Sequence, residues 1–254
     1  MEEQTQKKVK ITETDMLVTA RFSTDIIFIL DNSGSMENQV NNTCSGFNEL
    51  ISTQKKLYSR RIDDENFNVD CSVTLIKFSN HDKINTIYEK KDINDIEYIT
   101  NTDLLPTGLT ALYDAMAYAF EINFEPRRKR TYVVITDGEN NDSINHNPES
   151  IKNKIENFDK DNVSVLYIGS NQDSIINGKQ MGVDKNHSLN YKDGQTPTIY
   201  RCVSKVLTRT SIGNTPTSIF SDQDVEEITN DISNINTDDT NLSSNTPIRR
   251  NRSL

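Results

Sequence analysis

The sequence has few cysteines and no long apolar stretch. Its three cysteines, Cys44, Cys71 and Cys202, are too few and too scattered for a disulfide framework, and they lack the spacing of metal ligands. We expect them to be buried or half-buried thiols. No apolar run is long enough to span a bilayer, and residues 1–8 contain no apolar segment of the kind found in signal peptides. These absences favour a cytoplasmic protein that does not enter the membrane.

Positive charge is also scarce. The chain has 28 Lys and Arg against 38 Asp and Glu, which gives a formal net charge of −10. Nucleic acids and anionic membranes attract proteins through Lys and Arg, so this composition argues against both as partners. The basic cluster at residues 127–130 is expected to be a solvated connection between a helix and a strand. The oligomeric state cannot be inferred from the composition.

Motifs of the common catalytic centres are missing from the sequence. The three histidines, His81, His146 and His187, are not paired with a Ser or Cys motif, and we expect them to be structural or exposed. The phosphate-binding pattern Gly-x-x-x-x-Gly-Lys-Ser/Thr does not occur, which excludes ATP hydrolysis by that route.

The length of 254 residues suits one sizeable α/β core with polar ends. We predict a polar N-terminal extension at residues 1–21, one domain at residues 22–212 and a disordered acidic and polar C-terminal tail at residues 213–254. Within the tail, apolar residues spaced from Val225 to Ile235 could form a transient amphipathic helix.

Short β-branched or aromatic runs alternate with segments of helical periodicity across the predicted domain. The predicted strands lie near residues 24–30, 69–79, 84–88, 131–136, 163–168 and 188–191, and the predicted helices near 37–60, 110–124, 148–159, 172–181 and 195–209. This alternation predicts a Rossmann-like, three-layer α/β/α sandwich with a mostly parallel central sheet and one antiparallel edge strand. Ligands of such sheets bind at the carboxyl ends of the strands.

The most informative motif lies where the first predicted strand ends. Residues 25–36 read Asp-Ile-Ile-Phe-Ile-Leu-Asp-Asn-Ser-Gly-Ser-Met, so Asp31, Ser33 and Ser35 alternate along one turn. Their oxygens can converge on one point, and a carboxylate with two hydroxyls suits Mg²⁺. Because Asp and Ser also cap helices, this motif alone leaves both interpretations open.

Two later segments each place one more oxygen ligand. Thr110 lies in a tight loop that leads into a predicted helix, and Asp137 follows a predicted buried strand. The full set, in chain order, resembles the metal-ion-dependent adhesion site of von Willebrand factor A domains: Asp31, Ser33, Ser35, Thr110 and Asp137. The resemblance covers roughly residues 22–212.

The resemblance implies a binding module rather than an enzyme. In that family the hydroxyl residues contact the metal directly or nearly so, the two aspartates often hold it through water, and a position is left for a carboxylate of a partner protein. The resemblance therefore implies that Ser33, Ser35 and Thr110 are direct ligands of Mg²⁺, for which Mn²⁺ can substitute. It implies that Asp31 and Asp137 hold the metal through water. The implied partner is a protein that presents an Asp or Glu, within a multi-protein assembly.

Four further residues are expected to border the metal and contact the partner; we call Gly34, Gly108, Glu139 and Asn140 the rim. The two glycines are expected to let their loops turn sharply. For Glu139 and Asn140, ordinary polarity of an exposed loop is the other interpretation.

Two alternatives remain open at this stage. The first is a Mg²⁺-dependent phosphoryl hydrolase with Asp31 as the nucleophile, although the residues after Asp31 supply neither a general acid or base nor a cation for the phosphoryl group. The second concerns the tail, whose acidic side chains are candidates for an internal ligand of the metal as well as for simple solvation: Asp222, Asp224, Glu226 and Glu227.

Overall fold

The structure is a computed structural model, and it describes residues 22–62, 69–126, 128–170, 174–192, 194–211 and 219–231. The predicted N-terminal extension lies outside these ranges. None of the described helices combines the length and the apolar composition needed to cross a membrane.

The described strands form one sheet in the order β3-β2-β1-β4-β5-β6. Their bounds are Phe22–Asp31 (β1), Val69–Phe78 (β2), Ile84–Asp92 (β3), Lys129–Thr136 (β4), Val163–Ser170 (β5) and Ser188–Tyr191 (β6). Every neighbouring pair is parallel except β2 and β3, so the antiparallel strand lies at one edge. The mostly parallel sheet with an antiparallel edge strand is therefore confirmed.

Helices cover both faces of this sheet. Their bounds are Val40–Ile62 (α1), Leu112–Glu121 (α2), Pro148–Glu156 (α3), Ser174–Gln180 (α4), Thr196–Ser211 (α5) and 222–231 (α6), with short 3₁₀ helices at Gly34–Gln39, Ile93–Asp95 and Lys185–His187. The first predicted helix thus begins as a 3₁₀ turn directly after the Ser33 loop.

Alternate residues of β1 show why the layers form. Ile26 and Phe28 lie in an apolar cluster with residues of α1 and α5, whereas Ile27 and Ile29 lie in a second cluster with residues of α2 and α3. All four side chains are fully buried. A central parallel strand covered on both faces requires such a continuous apolar run.

The strand order reverses between β1 and β4. From β1 the chain runs outward to β2 and β3, and then crosses back to place β4 on the other side of β1. The carboxyl ends of β1 and β4 therefore lie side by side at the switch point, where open α/β sheets bind ligands. Asp31 ends β1, and Asp137 follows β4 directly.

Part of the segment expected to be disordered is a helix. α6 begins after Ser221, whose N–H donates to Asp224 Oδ2 at 2.7 Å while the Asp224 N–H donates to Ser221 Oγ at 3.3 Å. Phe220 and Ile228 are buried in the same apolar cluster as α5. The expected disorder thus does not extend to residues 219–231; residues 212–218 and 232–254 lie outside the described ranges.

Candidate metal site

Asp31 is held firmly at the end of β1. Its Oδ1 accepts the N–H of Ser33 at 2.8 Å, and its Oδ2 accepts the hydroxyl of Thr136 at 2.6 Å. Burial raises its pKa to about 6, and the negative charge of Asp137 acts in the same direction, although the hydrogen bonds from Thr136 and Ser33 oppose the increase. A cation beside this carboxylate would offset the cost of burying its charge.

Three of the predicted ligands touch one another. The hydroxyls of Ser33 and Ser35 lie 3.1 Å apart, and Ser35 Oγ donates to Asp137 Oδ1 at 2.7 Å. Ser35 and Asp137 are 102 positions apart in sequence. Only the neighbouring ends of β1 and β4 bring them together.

Thr110 completes the set from a third loop. A methyl group built on Gly138 would lie 3.5 Å from Thr110 Oγ1 and 4.0 Å from Ser35 Oγ, so both hydroxyls face the same small space. The Thr110 backbone is fixed by Asn141, whose Oδ1 accepts the Thr110 N–H at 2.8 Å and whose N–H donates back at 3.0 Å. Its hydroxyl makes no hydrogen bond with the described residues, and it is therefore available to an ion.

The donor set fits a small, hard cation. It consists of two carboxylates and three hydroxyls, all of which supply oxygen, and Mg²⁺ prefers such ligands. Among the residues that the structure describes, no group of three or more His, Cys, Asp or Glu side chains is arranged to hold a metal. The hydroxyls are thus the distinctive part of this site.

The two rim glycines make different contributions. Gly108 has a φ of +75°, a conformation that favours glycine, as the expected sharp turn requires. Gly34 does not have a positive φ; instead its N–H donates to the Gly108 carbonyl at 3.1 Å and joins the two loops. Asn32, which the sequence interpretation passed over, adds a second link, because its carbonyl accepts the Thr107 N–H at 3.0 Å.

The remaining rim residues also differ. Glu139 is exposed beside Asp137 and can meet a partner. Asn140 is half-buried, and its Oδ1 accepts the Ser143 hydroxyl at 2.5 Å. Asn140 therefore helps to shape the loop as well as bordering the site.

Two anchors of this loop, the buried Asp114 and the half-buried Ser143, were not singled out from the sequence. Asp114 accepts the N–H groups of Ile144 and His146, each at 2.9 Å, and Ser143 Oγ accepts the N–H groups at the start of α2. The Asp114 side chain is almost fully buried. These contacts cap a helix from a distant loop, so no local spacing reveals them; the only local signal is an acidic residue in the first turn of α2.

A sequence model of the von Willebrand factor type A domain matches residues 25–201. The chain belongs to this family. VWA domains generally act as protein-interaction modules, and many carry a metal site. No curated protein matches the chain significantly in sequence.

Solved structures with the same fold come from varied proteins. The chain is similar to proximal thread matrix protein 1 from the mussel byssus (TM-score 0.51, 16% identity, 73% of this chain and 46% of that one). It is also similar to a von Willebrand factor type A protein from Catenulispora acidiphila (0.51, 14%, 75% and 43%) and to the pilus adhesin SpaC from Lactobacillus rhamnosus GG (0.54, 12%, 76% and 31%). The VWA chain spans less than half the length of each, and identities this low show the fold alone.

The geometry favours neither the phosphoryl hydrolase nor the tail as an internal ligand of the metal. A nucleophilic Asp31 needs an oxygen turned toward a substrate, but each of its oxygens accepts a hydrogen bond and its side chain is buried. In the tail, Asp224 and Glu227 are bound to basic residues of α5 rather than to the metal site.

Proposed function

We propose that this VWA domain binds one Mg²⁺ at the ends of β1 and β4 and uses it to capture a carboxylate of a partner protein. Ser33, Ser35 and Thr110 would contact the ion, and Asp31 and Asp137 would hold it through water or from behind the hydroxyls. Mn²⁺ would substitute, because it accepts the same oxygen ligands. The module acts by binding rather than by catalysis.

The observation that carries this proposal is the contact of Ser33, Ser35 and Asp137, with the Thr110 hydroxyl facing the same space. Neutral hydroxyls leave much of the charge on the ion. An incoming Asp or Glu would then complete an octahedral oxygen shell and gain a strong electrostatic contact. Exposed Glu139 would disfavour partners with extra negative charge at that side of the rim.

We further propose that the module works in the cytoplasm, as part of a multi-protein assembly. All three cysteines are buried and unpaired, as is usual for proteins of reducing compartments.

Calorimetric titration with Mg²⁺ and Mn²⁺ tests the metal site. Asp137→Ala should abolish the binding heat, because Asp137 receives the Ser35 hydroxyl and balances the charge of the ion. Glu139→Ala is the matched control: it removes a carboxylate two residues away that is exposed, and it should leave metal affinity nearly unchanged. Equal affinity in the wild type and Asp137→Ala would disprove the site.

Affinity capture from the native host tests the partner. A true partner should bind in Mg²⁺, leave in EDTA and fail to bind the double variant Ser33→Ala/Ser35→Ala. A partner that remains bound under both conditions uses another surface, and the carboxylate proposal would then be wrong for it.

A further inference from the structure

A row of basic residues runs along the outer face of α5. Arg201, Lys205 and Arg209 are each four positions apart, so they lie on one side of the helix. Their side chains are half-exposed or exposed. In a chain with a net charge of −10, such a row on one helix face is unusual.

α6 lies along this row and faces it with acidic residues. Arg209 Nη2 donates to Asp224 Oδ2 at 2.5 Å, and Glu227 forms ion pairs with Lys205 and, at 3.4 Å, with Arg201. The pairs run in opposite directions along the two helices, so α5 and α6 form an antiparallel pair.

Polar contacts continue to the other end of the pair. Asp231 Oδ2 accepts the Thr198 hydroxyl at 2.6 Å, and the Ile228 carbonyl accepts Gln195 Nε2 at 2.7 Å. The acidic residues of α6 thus recur three and four positions apart, at 224, 227 and 231. The first two pair with the basic row, and the third contacts Thr198 beyond its end.

The contacts that hold α6 are of two kinds: Asp224 and the apolar residues Phe220 and Ile228 are buried, whereas the ion pairs of Glu227 with Arg201 and Lys205 are solvent-exposed. Of its apolar residues, Ile228 is buried while Val225 is 46% exposed, and Phe220 just before the helix is buried. A helix of ten residues is marginal in water without tertiary contacts, and exposed ion pairs add little stability. Because α6 belongs to the same chain as α5, its docking is intramolecular. α6 therefore brings only a short apolar surface to this face, from Phe220 and Ile228.

We propose that this face of α5 is a docking surface for an acidic amphipathic helix of a partner protein, and that α6 is its displaceable occupant in the same chain. The partner helix would carry carboxylates at the spacing of Asp224, Glu227 and Asp231 and an apolar residue at the position of Ile228. It would replace α6 by offering a longer apolar stripe than this short helix has. This surface is separate from the metal site, and the proposal does not depend on the function proposed for that site.

Cys202 provides a natural reporter of α6 release. Its side chain is fully buried, and its Sγ lies 3.7 Å from the Asp224 carbonyl and 3.9 Å from Glu227 Oε2, so α6 covers it. Cys44 in α1 and Cys71 in β2 are buried elsewhere in the core and serve as internal controls for global unfolding.

The first experiment measures alkylation of each thiol in the full chain by N-ethylmaleimide, with mass spectrometry to assign the site. Lys205→Glu should speed alkylation of Cys202 about fivefold, because it breaks one ion pair and adds a like-charge contact. The swap Lys205→Glu/Glu227→Lys should return the rate toward that of the wild type. Reaction of Cys202 no faster in Lys205→Glu, or equal acceleration at Cys44 and Cys71, would overturn the proposal.

The second experiment asks whether the surface accepts a helix in trans. A fluorescent peptide of residues 219–231 is titrated into the full-length wild type and the Lys205→Glu variant, alongside the same peptide with Glu227→Lys. The Glu227→Lys peptide should bind the Lys205→Glu protein at least about fivefold more tightly than the unchanged peptide does. The wild-type protein should bind both peptides weakly, because its own α6 competes for the surface. Binding of neither peptide to the variant, or equal binding of both, would show that the face is not a docking surface.

Discussion

Gly108 and Asn80 are in close contact two residues before Thr110, a ligand of the proposed metal site. Asn80 Oδ1 accepts the Leu109 N–H at 2.7 Å, and a methyl group on Gly108 would lie only 1.9 Å from that oxygen. The position of the Thr110 hydroxyl, a proposed ligand, therefore depends on the backbone conformation at Gly108, a residue that has no side chain. At the scale of single residues, backbone conformation matters here as much as ligand chemistry.

Gly108→Ala should therefore weaken the site without touching a ligand. A positive φ and the clash with Asn80 would cost about 1–3 kcal/mol of unfolding free energy, and the shifted Thr110 loop should lower metal affinity. Urea denaturation and metal titration measure the two effects. Gly34→Ala is the control, because its methyl group would meet the Gly108 carbonyl oxygen at 3.5 Å and the Gly108 nitrogen at 3.9 Å, which are ordinary contact distances. Equal behaviour of the two variants would contradict this role for Gly108.

The ligand residues and their supports differ in how far the sequence reveals them. Asp31, Ser33 and Ser35 lie within five positions of one another, and a strand-to-helix turn makes such spacing readable. Asp114 and Asn32 act through hydrogen bonds to loops far along the chain. Such contacts appear only when the fold brings the loops together, so the supporting residues could not be inferred from spacing.

At the scale of elements, α6 shows where composition misleads. The region is polar and acidic, which predicts disorder, yet Ser221 and Asp224 have the spacing of a helix N-terminal capping box. The apolar spacing that begins at Val225 predicts a transient amphipathic helix. Its partner is the basic row on α5, and pairing across two elements cannot be seen within either one.

The Asp224 contacts make the docking of α6 sensitive to acid. Burial alone would raise the pKa of Asp224, but Arg209 and Ser221 outweigh it and lower the pKa below its usual value. Further titratable groups near it are Cys202 and Lys205 on α5 and Glu227, which pairs with Lys205, on α6. A lowered pKa means that the stabilisation is present above about pH 4 and is lost as the pH falls through the folded-state value.

Asp224→Asn should accordingly lower the unfolding free energy by about 2 kcal/mol near neutral pH, where the wild-type carboxylate is charged. The difference between wild type and variant should be smaller at about pH 3 than near neutral pH, because the stabilisation by the charged carboxylate is lost progressively below about pH 4. Urea denaturation at the two pH values measures both differences. Glu226→Gln, an exposed carboxylate on the same helix, is the control and should show little difference at either pH. A constant difference for Asp224→Asn would contradict the charge-based contact.

At the scale of the whole molecule, the topology decides what the sequence alone could not. Six strands at a regular rhythm predicted the sheet and its antiparallel edge, and both are confirmed. The sheet order, which places β4 beside β1, is what converts the separated segments around Asp31 and Asp137 into neighbours. The order of strands along the chain restricts their order in the sheet but does not determine it, because several sheet orders are compatible with the same alternation of strands and helices.

The two proposed surfaces, the metal site and the α5 face, should act independently. Mg²⁺ at about 100 times its dissociation constant should stabilise the wild type by about 2.7 kcal/mol, because only the folded chain assembles the ligands. Lys205→Glu, which loosens α6, should lower the baseline stability but show the same increment on adding Mg²⁺, since Lys205 pairs with Glu227 and the proposed ligands Ser35 and Asp137 contact each other. Asp137→Ala should lose the increment and keep the baseline. Denaturation of the three proteins with Mg²⁺ and with EDTA measures these terms, and a smaller increment in Lys205→Glu would reveal coupling between the two surfaces.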